Sequence, residues 1–324
     1  MSGCGGGGGS SVGATSSSPT TLPTPTPTPA PVPTPTPSPA TGSEPTLQDL
    51  SSTTQLSGYT GSGAYARDSN GIIVIAPNIF SGPGAPVAYD PQRKNFTYIS
   101  SGFIALGMPS SGDSVSLVEQ SAKSDGSYLA YTGSSAGVLY QLKQFRIGSV
   151  NPTLPLLYTS IAYARTSYFD AVAKQTLNGV VPFSFGLIFD PANAKLSGSA
   201  SYNGILLGVG RGLGGRNAYD VSGTVHIDVN YVTTGYTGFV KLIGTDDRTG
   251  DVVTLGQMNI SQSGTRGVLD VLIGSIGSIG TGKFQANFTG SQAQELMGGF
   301  DLETSDPREP SVTLRITGTL VAKR

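Results

Sequence analysis

Apolar and polar residues alternate with a period of two along the last third of the chain. In residues 221–232, for example, Val225 and Ile227 alternate with Thr224 and His226. This period is typical of antiparallel strands that have one buried and one solvated face. Eight such strands are predicted, at residues 200–206, 221–232, 238–242, 252–261, 267–273, 283–289, 297–304 and 311–323.

Eight strands of this kind predict a closed, up-and-down barrel. An eight-stranded barrel is just filled by its own side chains, and closure removes the exposed edges that make uncharged strands prone to aggregate. The outward faces carry Ser, Thr, Asn, Gln, Lys and Asp, the opposite of a lipid-facing band. The pattern therefore predicts a soluble barrel rather than a transmembrane one.

The strand at residues 283–289 illustrates the assignment of faces. The alternation places Phe284 and Phe288 in the interior and Asn287 in solvent. We therefore expect Phe288→Ala to cost ~3–5 kcal/mol as a core cavity. Asn287→Ala, as an ordinary surface change, is expected to cost well under ~1 kcal/mol.

Residues 46–192 have a β-like but less regular pattern, in which short apolar runs are separated by Gly, Ser, Asn and Pro clusters. The clearest strands are predicted at residues 137–145, 156–163 and 182–189. In the last of these, Phe183 and Phe185 share one face with Leu187 and Phe189.

The predicted fold class is all-β. Short helices are predicted only at residues 47–56 and 170–177. The domain organisation follows from the patterns: residues 1–45 lack a core, residues 46–192 form a β-rich domain, and residues 193–324 form the barrel.

Residues 5–45 read as a linker in which prolines alternate mostly with threonine. Proline fixes φ and lacks an N–H group, so the repeat favours extended polyproline II. At ~3.1 Å per residue, Pro19 to Pro39 would span on the order of 60 Å. A ligand for a proline-recognition module is the alternative, but a Thr-Pro repeat after a glycine tract favours a stiff stalk.

Cys4 lies between Met1-Ser2-Gly3 and a tract of five glycines. This arrangement resembles the bacterial lipobox, in which Leu-Ser-Gly precedes a cysteine that becomes lipidated. Methionine stands where leucine belongs, and no charged and apolar signal segment precedes it. We expect that the recorded start is an internal TTG codon, with a signal peptide upstream. A cytosolic free thiol is the alternative to a lipid anchor at Cys4.

Composition and charge exclude several classes of function. The net charge is −1 and the 19 basic residues are scattered, which argues against a nucleic-acid partner. The absence of tryptophan leaves few platforms for stacking on bases or sugars. A single cysteine excludes an internal disulfide and a Cys-based zinc cluster.

Two motifs resemble functional sites but have simpler interpretations. Residues 210–215 satisfy G-x-G-x-x-G, yet another strand follows instead of the helix that a dinucleotide site requires, so we predict a hairpin loop. His226, the single histidine, lies beside Asp228 on a polar strand face. It is predicted as a surface residue rather than the centre of a triad or metal cluster.

Acidic and asparagine side chains near the turns are interpreted as solvated. The acidic groups are Asp246, Asp247 and Asp251, and then Asp301, Glu303 and Asp306; three Asn-x-Ser/Thr triplets begin at Asn95, Asn259 and Asn287. Cation binding by the first acidic group is the alternative. Since nothing assembles a nucleophile, a base and its orienting group, we predict no catalytic residue, no metal and no cofactor. The ligand-binding residues stay unknown.

The run KFQANFTGSQAQELMGGFDLE, residues 283–303, is similar to a family motif that joins two barrel strands. The matching positions are Phe288, Gly290, Ala293, Glu295, Gly298 and Gly299. An aromatic residue and a proline often follow the first glycine in the family, where this chain has Ser291-Gln292. Residues 145–160, 196–204 and the terminal GTLVAKR carry further similarity. With Cys4 and the stalk, the chain resembles the transferrin-binding protein B-like surface lipoproteins of Gram-negative bacteria.

The resemblance implies a single lobe, with a handle domain packed on the barrel. It implies an outer-membrane lipoprotein, at the cell surface or facing the periplasm, that binds an external protein or solute, with a TonB-dependent receptor as a further partner. From the residues themselves, Gly298-Gly299 is interpreted as a site of positive φ or a bulge. Glu295 is interpreted as a cap for backbone N–H groups in the loop.

A non-enzymatic, membrane-tethered binding lipoprotein is thus the leading hypothesis for function. A structural envelope protein or adhesin is the second. A hydrolase in residues 46–192 is the third, and the missing triad disfavours it.

The first prediction concerns the lipid anchor. Burial of acyl chains contributes ~0.8 kcal/mol per methylene, so lipidation with more than one chain holds a protein firmly on a membrane. Cys4→Ser should release the protein into the soluble fraction after cell lysis and centrifugation. Continued membrane association of this variant would contradict the anchor.

Overall fold

The protein is all-β, as predicted. The computed structural model describes residues 45–51, 54–75, 78–81, 87–90, 95–98, 117–135, 138–148, 151–170, 174–188, 196–262, 271–277 and 280–324. These residues form antiparallel strands and one short 3₁₀ helix, Ser121–Lys123, within a compact unit that spans residues 44–324. No helix in these ranges is long and apolar enough to cross a membrane. The predicted anchor at Cys4 and the stalk lie outside the described residues.

The first ten strands form one sheet, with order β5-β4-β1-β10-β9-β8-β7-β6 and with β2 and β3 also paired to β1. Their bounds are β1 Thr54–Arg67, β2 Ile73–Ile75, β3 Asn78–Ser81, β4 Val87–Asp90, β5 Asn95–Tyr98, β6 Val118–Glu119, β7 Tyr128–Ser135, β8 Val138–Phe145, β9 Thr159–Asp170 and β10 Gln175–Gly186. One face of this sheet buries an apolar cluster that includes Leu56, Leu142, Phe183 and Phe185. The predicted shared face of the two phenylalanines is therefore confirmed, while Phe189 lies outside the described residues.

The two helices predicted in this half of the chain are wrong. Residues 47–49 form a turn, and Leu56 belongs to β1. Within 170–177, Asp170 ends β9 and residues 175–177 begin β10, where Leu177 pairs with Tyr168. Pairing with a neighbouring strand overrides a weak local preference, because β propensity depends on what a strand packs against.

The last eight strands close into a barrel in which each strand pairs with its sequence neighbour and the last pairs with the first. Their bounds are β11 Ser199–Arg211, β12 Ala218–Asn230, β13 Gly235–Asp246, β14 Val252–Gln262, β15 Val271–Gly277, β16 Gly280–Thr289, β17 Glu295–Ser305 and β18 Thr313–Lys323. Seven predicted strands overlap these along most of their length. The one predicted at 267–273 is displaced to β15, and residues 263–270 are not described. The domain boundary predicted at 192/193 also lies outside the described residues and stays a prediction.

The barrel interior is the largest apolar core in the described part of the chain. Its buried members include Tyr202, Leu206, Val225, Ile227, Val229, Phe284, Phe288, Phe300, Leu314 and Ile316. Phe288 is 1% exposed, and its ring centre lies 5.8 Å from that of Tyr202 and 5.9 Å from that of Tyr231. The predicted interior face of β16 is therefore confirmed.

The prediction that the outer face of the barrel is solvated is wrong on one side. There the sheet covers the barrel through an apolar contact that we call the seam, formed by Tyr59, Phe145, Leu156, Ile161, Met297 and Val321. Asn287 is 4% exposed and Thr317 and Thr319 are fully buried. The Asn287 side-chain oxygen accepts a hydrogen bond from the Tyr59 hydroxyl at 2.5 Å. Asn287 is polar because it meets a hydroxyl group from the sheet, not because it meets water.

The backbones of the sheet and the barrel approach each other closely where β1 crosses β18 at a pair of glycines. A Cβ atom on Gly61 would lie 2.7 Å from the backbone nitrogen of Gly318. A Cβ atom on Gly318 would lie 2.5 Å from the Phe300 ring. Both distances are shorter than van der Waals contact, so a side chain at position 61 would push the sheet off the barrel, and one at position 318 would collide with the interior of the barrel.

The burial of Asn287 gives the second prediction. Asn287→Ala should lower the free energy of unfolding by about 1–3 kcal/mol, because it removes the acceptor of a buried hydroxyl. Asn259→Ala is the matched control, since Asn259 is exposed on β14, and should change stability by less than about 0.5 kcal/mol. Denaturant unfolding of both variants measures the difference. Equal, small effects would mean that the sheet does not cover β16 in solution.

Candidate functional site at the seam

The family-like motif forms the turn between β16 and β17. Gly290 has φ +76°, and a Cβ atom on it would lie 2.7 Å from the Tyr158 ring, so glycine is required on both counts. Ala293 is buried with φ +52°, and its carbonyl oxygen accepts a hydrogen bond from the Tyr202 hydroxyl at 2.5 Å. The turn is thus fixed from inside the barrel by Tyr202 and from outside by Tyr158.

Glu295, the first residue of β17, links the barrel to the sheet. Its carboxylate is fully buried and accepts hydrogen bonds from the backbone N–H groups of Leu157, Tyr158 and Thr159 at 2.7, 2.9 and 3.0 Å. The Thr159 hydroxyl donates a fourth, at 3.1 Å. The sequence suggested a cap for the glutamate's own loop, whereas the donors come from a segment about 140 residues away that leads into β9.

Burial raises the pKa of Glu295, and the N–H donors together with the nearby Lys323 charge oppose that rise. The Lys323 ammonium group itself donates to the carbonyl oxygen of Pro155 at 2.6 Å. Both barrel side chains therefore contact the same segment before β9. This end of the seam is a hydrogen-bonded joint with a structural role.

The glycine pair that follows has a different role from the one predicted. Neither Gly298 nor Gly299 has a positive φ, and the register between β16 and β17 is continuous. A Cβ atom on Gly298 would lie 2.5 Å from the backbone oxygen of Gln285, and its own carbonyl oxygen accepts a hydrogen bond from Ser184 of the sheet at 3.2 Å. Gly298 therefore permits close approach of backbones rather than a bulge.

At the other end of the seam, two strands carry the same tetrapeptide, Ala-Tyr-Ala-Arg, at residues 64–67 and 162–165. The Tyr and Arg of each copy lie two residues apart, so both point to the same face of the sheet. In the first copy, the Tyr65 hydroxyl donates to the Asp247 carboxylate, and Arg67 forms an ion pair with it at 2.7 Å.

The second copy repeats this arrangement on another barrel residue. The Tyr163 hydroxyl donates to the Asp220 carboxylate, and the Arg165 guanidinium forms an ion pair with it. Burial raises the pKa of Tyr65 and of Tyr163 to about 12, so both remain donors at neutral pH. The repeated tetrapeptide is the sequence signal that would have identified these two pairs.

Arg211, at the end of β11, lies close to both pairs and is 1% exposed. Its guanidinium carbon is 4.7 Å from the centre of the Tyr65 ring. None of its three side-chain nitrogens has a hydrogen-bond partner within the described part of the chain. Burial lowers its pKa to about 10, which leaves it charged at neutral pH. Arg211 is not singled out by the sequence, because it lies in the G-x-G-x-x-G motif at 210–215, which is interpreted as a hairpin loop.

A cavity of about 170 Å³ opens at this end of the seam, on the face of the sheet that carries the two Tyr–Arg pairs. Tyr65 and Arg165 form part of its wall, together with Gln141, Ser167 and Asn178. Strands β8, β9, β10 and β1 therefore all contribute to it. The cavity, the two Tyr–Arg pairs and Arg211 make up the candidate site.

Two of the three acidic residues of the β13–β14 loop, Asp246 and Asp247, are not solvated, which corrects the prediction, whereas Asp251 is 61% exposed and fits it. Asp246 is 3% exposed and forms an ion pair with Arg308 at 3.0 Å, and Arg308 also pairs with Asp251 at 3.2 Å. Burial alone would raise the pKa of Asp246, but the backbone N–H groups of Arg248 and Thr249 and the Arg308 charge lower it. Asp247, as described above, pairs with the sheet. The charged and hydroxyl partners, Arg308 and the β1 residues Tyr65 and Arg67, are distant in sequence, so local composition gave no sign of them.

The second set of acidic residues, Asp301, Glu303 and Asp306, likewise contains both buried and exposed members. Asp306 is fully buried and accepts hydrogen bonds from the Tyr219 hydroxyl at 2.9 Å and from the Asn217 amide at 3.1 Å. Asp301 is half-buried on β17. Glu303 fits the solvated interpretation, since it is 48% exposed and pairs with Arg315 at 2.9 Å.

His226 lies on the outer face of the barrel, as predicted. Its Nδ1 atom is 2.8 Å from the Asn203 side-chain oxygen and its Nε2 atom 3.1 Å from Asp228. Its ring stacks on Phe239, with the ring centres 5.3 Å apart. The hairpin predicted at residues 210–215 is confirmed. Across the described ranges, no three His, Cys, Asp or Glu side chains are grouped so as to hold a metal ion.

Comparison with known proteins gives distant structural likenesses. No family model and no curated protein sequence matches the chain. A double mutant of the vaccine antigen transferrin binding protein B from Haemophilus parasuis is 11% identical, with a TM-score of 0.39 over 78% of this chain and 50% of that one. Isotype 1 transferrin binding protein B from serogroup B Neisseria meningitidis is 12% identical, with a TM-score of 0.32 over 82% and 43%. This chain thus spans about half the length of those proteins, and likenesses this low carry no argument about its function.

The geometry of Glu295 gives the third prediction. Glu295→Gln replaces one acceptor oxygen with an amide donor, so at least one buried N–H group among residues 157–159 loses its partner. We expect the free energy of unfolding to fall by about 1–3 kcal/mol. Glu303→Gln, the same substitution at an exposed position of β17, should change it by less than about 0.5 kcal/mol. Thermal unfolding of the two variants measures the difference. Equal effects would show that the Glu295 carboxylate does not join the barrel to the sheet.

Proposed function

We propose that this chain is a membrane-anchored surface lipoprotein that binds an external protein through one end of its folded body. In this proposal Cys4 carries the lipid, the residues up to 45 form the stalk, and residues 46–192 and 193–324 are the two domains of a single lobe. The role is non-enzymatic. A TonB-dependent receptor of the outer membrane is the further partner.

The position of the exposed apolar side chains carries this proposal. The described chain enters the sheet at the Thr54 end of β1, and we call the opposite end, near Arg67, the distal end. Most of the large apolar side chains that stay exposed within the described residues lie there. They are Val74, Leu139, Phe169, Leu213 and Val252, which are 45%, 51%, 61%, 67% and 69% exposed.

The strand pairings place these residues at the same end. Phe169 pairs with Thr176, and Leu139 with Ser167, beside the end of β1 that carries Arg67. Leu213 follows Arg211 in the β11–β12 hairpin, whose backbone also pairs with β2 through Ile73. Exposed apolar side chains that gather on one surface mark protein-binding sites more often than isolated ones do.

A hydrolase receives no support from the single histidine. Both ring nitrogens of His226 contact Asn203 and Asp228, and no hydroxyl or thiol nucleophile is among these partners. The outer barrel face around His226 therefore has the chemistry of a hydrogen-bonded surface. Binding, rather than bond cleavage, agrees with this arrangement.

The fourth prediction tests the distal end. The full chain carrying Cys4→Ser, immobilised and incubated with growth medium or host fluid, should retain a specific protein. Phe169→Ser and Leu213→Ser should each reduce that retention by about tenfold or more, because truncating a central apolar contact of an interface has effects of this size. Retention is measured by quantitative mass spectrometry of the eluate.

Val232→Ser is the matched control, since Val232 is 74% exposed but lies in the hairpin at the other end of the barrel. It should leave retention unchanged. If Val232→Ser reduces retention as much as Leu213→Ser does, the distal end is not the binding surface. Failure of the parent chain to retain any protein would favour the structural envelope role instead.

A further inference from the structure

The buried guanidinium of Arg211 has no counter-ion within the described part of the chain. The two nearby barrel carboxylates are each already held by a sheet arginine and a tyrosine hydroxyl: Asp247 by Arg67 and Tyr65, and Asp220 by Arg165 and Tyr163. Three arginines therefore meet two aspartates at this end of the seam. The group carries one positive charge more than its carboxylates neutralise.

An unpaired buried charge is unfavourable, because removing an ion from water costs several kcal/mol unless a partner compensates it. The face of the Tyr65 ring, 4.7 Å from the Arg211 guanidinium carbon, offers a weak cation–π attraction. This contact leaves the five N–H donors of the guanidinium without acceptors. A group with this charge and these donors is typical of a site that receives an anion.

The cavity described above shares Tyr65 and Arg165 with this charged group, and Arg211 itself does not line it. Tyr65 connects the two, since it packs on Arg211 and also lines the cavity. Arg165, which is 41% exposed and forms the ion pair with Asp220, also lines the cavity. Gln141 and Asn178, two residues with amide side chains, line the same wall. No carboxylate side chain lines the cavity among the described residues.

We propose that this cavity binds a compact oxyanion, the carboxylate or phosphate group of a small molecule. Arg165 and the amides of Gln141 and Asn178 would contact its oxygen atoms, and Arg211 would supply the uncompensated positive charge behind Tyr65. Arginine suits such a group because its planar fork matches two oxygen atoms at once. The cavity volume of about 170 Å³ limits the ligand to a compact molecule, since pockets for drug-sized ligands begin at about 300 Å³. Leu139 belongs both to the wall of this cavity and to the distal surface proposed above, but neither proposal requires the other.

The test measures the melting temperature of the full chain carrying Cys4→Ser with increasing succinate or inorganic phosphate, against sodium chloride of equal ionic strength. Binding to the folded state raises the melting temperature along a saturating curve. We expect saturation with at least one of the two anions and not with the chloride control. The anion that saturates identifies the source of the oxyanion group.

Two substitutions assign any such response to this site. Arg211→Met removes the unpaired charge, and replacement of a buried ion by an apolar side chain of similar volume is commonly tolerated. Arg165→Gln removes the cation from the cavity wall, so the test does not depend on whether the Arg211→Met variant folds. Each should weaken the anion affinity by about tenfold or more. Lys241→Met, which removes an exposed cation outside the cavity wall, should leave the affinity unchanged.

Three results would overturn the proposal. The first is a parent protein that responds to neither succinate nor phosphate beyond the chloride control. The second is a response of equal size in the parent, Arg165→Gln and Lys241→Met proteins, which would show general salt stabilisation. The third is a response that Lys241→Met weakens as much as Arg165→Gln does.

Discussion

The structure depends on the attachment of one sheet face to the outside of a closed barrel. Closure of the barrel already uses the backbone hydrogen bonds of its strands around the circumference, so backbone bonds to the sheet are limited to isolated points such as Ile73, which bonds to Gly214 and Gly215. The seam solves this with three kinds of contact: the close crossing of Gly61 and Gly318, the apolar cluster around Tyr59, and the Glu295 carboxylate. The last of these is specific, since one buried acceptor group binds three consecutive backbone donors of the sheet segment.

The two ends of the seam differ in chemistry. At the Glu295 end, the contacts are hydrogen bonds between side chains and backbone, and they fix the turn between β16 and β17. At the other end, two Tyr–Arg pairs of the sheet each hold one aspartate of the barrel. Charged pairs shielded by tyrosine rings give a more specific but energetically costlier contact than apolar packing. Arg211, whose charge no carboxylate of this group neutralises, lies at the same end. This is also the distal end, where most of the exposed large apolar side chains of the described residues lie.

The barrel serves as a filled support rather than a container. Aromatic and branched side chains pack its interior, among them Phe284, Phe288 and Phe300. Its inner surface thus contributes stability, and its outer surface and hairpins carry the polar and charged contacts described above. The cavity at the distal end agrees with this division, because it opens on the sheet side of the seam and takes its lining from sheet strands.

The sequence by itself determined the strands and the interior of the barrel. The pleat of a strand projects successive side chains to opposite faces, so the period of two identified Val225, Phe284 and Phe288 as interior residues without knowledge of their neighbours. The same period could not separate polar residues in water from polar residues beneath a second sheet. Asn287, Asp306 and Arg211 look like surface residues in the sequence and are buried in the structure. What covers Asn287 and Asp306 comes from residues roughly 90 to 230 positions away, and the Tyr65 ring that packs on Arg211 lies on β1, so the tertiary structure alone decided which outward residues meet protein instead of solvent.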